Sequence, residues 1–233
     1  WSRYVAELNP KVGALLTKAI VAYRKEQIET SALWYTLAAY CGLEVANFNL
    51  AYLCDQHSNR LNGRFAKECE FHHYNRSVWR DENQVHAKSL TRMGDYHSLG
   101  LAHASNLSAA VDFYTRAVAK GDPEAAFNLA VLAEAGRLSP STANQLTGDA
   151  FEGDGEGDPS WLLMGPRARA AFRLYRLCEK LSKTETDLPC RLARYRLKLL
   201  TYISHYLDVL RGALLASLLA LAAWRYMCSS HRD

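Results

Sequence analysis

Cysteine is the residue type in this chain best placed to do chemistry. Six are present, at positions 41, 54, 69, 178, 190 and 228. Cys54 and Cys69 bracket a polar stretch from Asp55 to Arg64, and Cys178 and Cys190 bracket a second one, Glu179 to Pro189. Thiols on both sides of a junction between helices can be oxidised to a staple, and such staples persist in an oxidising compartment. The same residues could instead be buried thiols of a cytosolic protein, and spacing alone does not fix connectivity. A zinc site is disfavoured, because no Cys-x-x-Cys or paired histidine spacing accompanies them. Cys41 falls on the apolar face of a helical segment and is expected in the core. Cys228 stands apart.

The other chemical signals are weaker. Asp154, Glu156 and Asp158 alternate as in a calcium loop. Pro159 stands where such a loop needs glycine, and no glutamate follows at the twelfth position, so a solvated loop is expected. His72, His73, His97 and His103 are scattered and read as surface or turn residues. There is no glycine-rich phosphate loop, no His-Glu-x-x-His and no nucleophile motif. We therefore expect no catalysis, no cofactor, no metal and no small-molecule substrate. The 28 basic residues exceed the 24 acidic ones by too little to argue for nucleic acid. Two glycosylation sequons occur, Asn75-Arg76-Ser77 and Asn106-Leu107-Ser108. Asn106 is expected in a turn that tolerates a glycan, and Asn75 on a helix beside Tyr74.

The elements that carry these residues are helices. No segment alternates apolar and polar residues for long, whereas Lys11 to Tyr40 and Pro166 to Lys183 place apolar residues three and four apart. With 49% apolar residues the chain can build a sizeable core. Three stretches then repeat: Leu33-Trp34-Tyr35-Thr36-Leu37-Ala38, His72-His73-Tyr74-Asn75-Arg76-Ser77 and Asp112-Phe113-Tyr114-Thr115-Arg116-Ala117. A step of about 40 residues is the signature of a helical repeat array. Such arrays present an extended surface to a partner. Gly42 and Gly121 close the tyrosine helices, as expected of left-handed caps. The helices that follow carry Leu50, Met93 and Leu129 in register, each trailed by a small residue: Ala51, Gly94 or Ala130. Small residues at fixed positions let paired helices approach closely.

Met93-Gly94-Asp95-Tyr96-His97-Ser98-Leu99-Gly100 and the stretch from Phe127 to Gly136 resemble Sel-1-like repeats, relatives of the tetratricopeptide repeat. The likeness runs from Ser31 to Gly136 and continues more weakly to Cys178. It departs at Ala102 and Leu138, where the family turn has a second glycine. Within the family the chain is similar to the animal sel-1 homologs. That likeness is carried by Asn49 to Cys54 with Cys69 and Tyr74 to Val78, by Leu174 to Cys178 with Pro189-Cys190, and by a hydrophobic C-terminal segment ending in Ala223-Trp224. The resemblance implies an all-α fold, an α–α superhelix. It supports the pairs Cys54–Cys69 and Cys178–Cys190, places the repeats in the lumen or outside the cell, and implies protein partners. By analogy it also suggests an adaptor of a ubiquitin ligase in endoplasmic-reticulum-associated degradation, although fold does not fix function.

The organisation expected is repeats over 1–137, an acidic glycine-rich insertion over 138–166, a final helical pair with a basic face over 167–200, an amphipathic then membrane helix over 201–228, and a tail over 229–233. Because the chain starts at Trp1, it is expected to be a piece of a longer protein. Gly212 to Trp224, which includes Leu215, Leu218, Leu219 and Leu221, has no charge. Its 13 residues span only ~20 Å of helix against roughly 30 Å of hydrocarbon. Extension back to Leu199 adds a polar stripe of Thr201, Ser204, His205, Asp208 and Arg211. Three readings follow: a membrane span, an amphipathic helix on the bilayer that then enters it, or a helix buried in a soluble regulatory domain. Aromatics at both ends, Tyr202 and Tyr206 and then Trp224 and Tyr226, look like interfacial belts.

Overall fold

The tyrosines of the repeat are buried, and their neighbours on the helix explain why. In the computed structural model, which describes residues 9–61, 63–78, 86–101, 104–147, 159–182 and 187–230, Tyr35, Tyr74 and Tyr114 each expose 6% or less. Residues four before and three after share a helix face with them. Three residues after stand Ala38, Ser77 and Ala117, all buried; four before stand Ser31, Glu70 and Ala110. A large ring framed by small side chains can sink between neighbouring helices. Tyr175 repeats the pattern, with Ala171 and Cys178 in the small positions, and is equally buried.

The regular structure of the described residues is entirely helical. The chain forms two units, residues 1–125 and 126–233. The first holds α1 (Pro10–Arg24), α2 (Ile28–Tyr40), α3 (Glu44–Gln56), α4 (Gly63–Val78), α5 (Ala87–Leu99) and α6 (Leu107–Ala119), with the start of α7 (Pro123–Glu134). From α1 to α6 each helix packs on the next in the chain. This nearest-neighbour order is that of a helical solenoid. Leu50, Met93 and Leu129 are buried as aligned, and so are Ala51, Gly94 and Ala130.

The turns are copies of one another. At Gly42, Gly121 and Gly136 the backbone φ is positive, between 69° and 95°. In each, the glycine N–H donates to the carbonyl three residues back, and the next N–H donates to the carbonyl five back, as Gly42 to Ala39 and Leu43 to Ala38. That pairing satisfies carbonyls the helix end would leave open. The α1–α2 turn makes the same two bonds, from Glu26 to Tyr23 and from Gln27 to Ala22, with Glu26 at φ 58° in place of glycine. Gly100 is left-handed too, and Leu101 N–H closes its turn on Tyr96.

The second unit adds α8 (Pro140–Thr147), α9 (Pro159–Leu163), α10 (Pro166–Leu181) and α11 (Leu188–Ser230). Helix α10 packs on α8 and α11, and α9 packs on α11. Three expectations need correction. The insertion does not begin as a loop: Ser139 caps α8 by accepting the Thr142 N–H, Pro140 starts it, and Ala143 is fully buried. The acidic run 148–158, with its calcium-like acids, lies outside the described residues, as do Ala102 and His103. There is also no boundary near residue 200, because α11 is one unbroken helix to Ser230. Cys41 is not a core residue either. It is exposed at the C-cap of α2, two positions beyond Ala39, the last buried residue of that helix.

Helix α11 leaves the body of its unit early. Cys190 and Leu197 are its buried side chains, Thr201 is half-buried, and residues 202–224 are exposed throughout. A 23-residue exposed run spans about 34 Å. The stretch Leu188–Trp224 is long and apolar enough to cross a membrane, and its apolar window is 0% buried. Among the described residues, nothing packs over this segment as a core would.

Candidate interaction grooves and the stapled base of the apolar helix

Both cysteine pairs are joined. Cys54, in the last turn of α3, is bonded to Cys69 within α4 with Cα atoms 6.1 Å apart. Cys178, near the end of α10, is bonded to Cys190 in the first turn of α11 with Cα atoms 6.0 Å apart. All four are buried. The second bond sits at the root of the apolar helix, and other contacts reinforce it. Arg194 pairs with Glu179 at 2.7 Å with both side chains largely covered, and Arg194 and Lys198 lie over the Phe172 ring. Arg196 meets Glu134, which also bonds Tyr175; burial beside that carboxylate pushes the Tyr175 hydroxyl up to about 12. Several of the basic residues of the 166–199 stretch are therefore spent on fixing the angle at which α11 departs.

The polar stripe of α11 has a counterpart. Thr201, Ser204, His205 and Asp208 line one wall of a cleft of about 320 Å³, and Leu163, Met164 and Gly165 line the other. Asp208 and Arg211 pair at 3.4 Å on the helix surface. Gly212, Leu215, Leu218, Leu219, Leu221 and Trp224 lie beyond the stripe and are exposed.

Two grooves flank α4. One, of about 650 Å³, lies between α2, α3 and α4; the Cys54–Cys69 disulfide and His73 line it, and Leu33 and Tyr40 stand exposed beside it. The other, of about 670 Å³, lies between α3, α4 and α5. Its floor is Phe71 against Tyr96, ring edge to face at 5.1 Å. Among the described residues its walls carry Asp55, Glu68, Glu70 and Asp95 with Arg92. Arg92 is held by Asp95 at 2.9 Å and Glu124 at 3.4 Å, and the Tyr114 hydroxyl donates to Asp95 at 2.8 Å. Burial raises the affinity of Glu70 and Asp95 for protons above that of an ordinary carboxyl. None of these acids stood out as a site residue from the sequence. The signal was present at Glu70: the repeat puts serine or alanine four residues before its tyrosine, and only here a carboxylate.

His73, His86 and His97 pack against other side chains. His73 Nδ1 lies 2.9 Å from Asn47 Oδ1, so Nδ1–H donates to a fully buried amide. His97 stacks on Phe113, and His86 on Phe48. Burial, with His72 and Arg76 nearby, lowers the His73 pKa to about 4, and His86 is lowered as well. The sign is fixed by linkage: below about 6.5 the unfolded chain takes up protons that folded His73 refuses until about 4. Stability should therefore fall by on the order of 1 kcal/mol from His73 between pH 7.5 and 5.5. Glu70 and Asp95, with raised pKa values, act oppositely. Urea unfolding at the two pH values, with and without His73→Gln, isolates the histidine contribution; an unchanged difference in the variant would show that His73 does not titrate as described.

The two sequons differ. Asn106 is exposed and caps α6, using its carbonyl oxygen to accept the Ala109 N–H and not the nitrogen to which a glycan is joined. Asn75 lies half-buried within α4, and its Ser77 fills the small repeat position beside Tyr74, with the hydroxyl bonded to the Tyr74 carbonyl. Tyr74 and Tyr114 thus anchor the array, and their sequence neighbours pack around them. No protein-family model matches the chain.

Proposed function

We propose that the chain is a membrane-anchored helical-repeat scaffold, Sel-1-like in its repeats, that binds another protein on the luminal or extracellular side of a secretory-pathway membrane. It acts by binding and not by catalysis, and takes no cofactor. The observation that carries this reading is α11: a stapled, ion-paired base gives way to 23 exposed residues of a helix apolar enough to cross a bilayer. Exposing that much apolar surface to water would be costly, at roughly 25 cal/mol per Å². Two buried disulfides and an exposed sequon at Asn106 are in keeping with a luminal or extracellular repeat region. The polar stripe would then sit at the interface, where Tyr202 and Tyr206 serve as belts.

Alkaline carbonate extraction of membranes from cells making the chain tests the anchor. The chain should stay in the pellet, and a chain lacking residues 212–233 should be released. Release of the intact chain would refute the anchor. Glycosidase treatment reports the side: a mobility step that disappears in Asn106→Gln is expected, and with the chain retained in the pellet its absence from the start would count against luminal repeats.

A further inference from the structure

We propose that the groove between α3, α4 and α5 is the docking site for a short basic segment of a partner protein, which sets an apolar side chain on the Phe71–Tyr96 floor and arginine or lysine against the walls. This names the partner class for the scaffold reading and rests on it. The occupant follows from charge and shape together. Among the described residues, Asp55, Glu70 and Asp95 face the groove with Arg92, which is already engaged by Asp95 and Glu124. The described lining is net negative, which disfavours nucleic acid and anionic lipid headgroups and favours a cation. The groove is not simply a patch of acids. Its floor is aromatic, and Leu99 and Leu101 stand 69% and 63% exposed at one end. Apolar surface left open beside a polar rim is the makeup of a protein-binding patch.

The repeat itself marks the place. The helices of the array bury a small residue four positions before the tyrosine: Ser31 in α2, Ala110 in α6 and Ala171 in α10. In α4 that position is Glu70, whose carboxylate bonds the Tyr96 hydroxyl at the groove floor. Packing alone does not call for a carboxylate there. Burial raises the proton affinity of Glu70 and Asp95, and a guanidinium brought into the groove would act the opposite way.

The test uses the full chain in zwitterionic micelles. The probes are two fluorescent peptides with a central leucine pair, one flanked by arginines and the other by glutamates. The arginine peptide should bind, more weakly as salt rises, and the glutamate peptide should not. Glu70→Gln combined with Asp55→Asn should weaken binding about tenfold, and Leu101→Ser, at an exposed position, about fivefold. Circular dichroism confirms that the variants stay folded. Equal binding of both peptides, no binding of either, or indifference to both variants overturns the proposal. So does a groove filled by a second copy, seen as self-association that Glu70→Gln abolishes. Failure here with the chain still retained by carbonate-washed membranes refutes the groove alone; release from those membranes refutes the anchor and leaves the groove test standing.

Discussion

Replacing Cys54 and Cys69 by alanine should lower the unfolding free energy of the repeat unit by about 3 kcal/mol, the largest loss expected from any pair of substitutions that removes so few atoms. The bond joins positions 15 apart in sequence, and closing a loop of that length in the unfolded chain is worth about 3 kcal/mol. The location makes the full amount plausible. Cys54 and Cys69 are both buried, and the bond links α3 to α4, a directly packed pair. It also lines the groove beside α2 and borders the helix that carries Glu70. Alanine is the right replacement, because serine would bury a hydroxyl and add a separate cost of about 1–3 kcal/mol. Guanidinium unfolding followed by circular dichroism in zwitterionic micelles gives the number. Wild-type protein with dithiothreitol, which also opens Cys178–Cys190, should unfold at least as early as the variant. A shift below about 1 kcal/mol in both would mean that the reduced unfolded chain already keeps α3 and α4 together. Removing Cys178 and Cys190 should have a slightly smaller effect from its separation of 12, and Arg194–Glu179 would still hold the base of α11.

Much of this architecture can be read from residue order, for a physical reason. A repeat imposes the same burial on the same position each time, so Tyr35, Tyr74 and Tyr114 announce themselves. The turns need positive φ, so glycine marks three of the matching four, and the α1–α2 turn escapes notice because Glu26 takes that conformation instead. The cysteine pairs bracket polar connections in the sequence, and the structure joins each pair. What stayed hidden depends on three-dimensional proximity. Helix α8 is short, and only its packing on α10 sets it apart from the insertion around it. Cys41 looked apolar-facing, because periodicity does not say that the helix stops just before it. The acidic groove draws on three helices spread over some 45 residues, and no spacing rule joins Asp55 to Asp95. Glu70 alone was legible, as a charged residue in a small-residue column.

Gly94→Ala should destabilise the repeat unit by about 1–2 kcal/mol, against the ordinary trend for helices. Alanine in a helix interior normally gains about 1 kcal/mol over glycine. Here a Cβ would stand 2.4 Å from Tyr114 Cε1 and 2.6 Å from Cδ1. The ring has nowhere cheap to go. Tyr114 is 3% exposed, its hydroxyl donates to Asp95, and Asp95 is in turn held by Arg92. Overpacking of this kind costs about 1–3 kcal/mol, which exceeds the propensity gain. The decisive measurement is a double-mutant cycle with Tyr114→Ala, itself expected to cost about 3–5 kcal/mol by analogy with other aromatic truncations. Once the ring is gone, the obstacle to the methyl group is gone, and Gly94→Ala should become neutral or stabilising by up to about 1 kcal/mol. The sign change separates close approach from every other explanation for glycine at this position. If Gly94→Ala destabilises equally in both backgrounds, the small residue that follows Met93 serves something other than the α5–α6 contact, and the same reasoning for Ala51 and Ala130 fails with it.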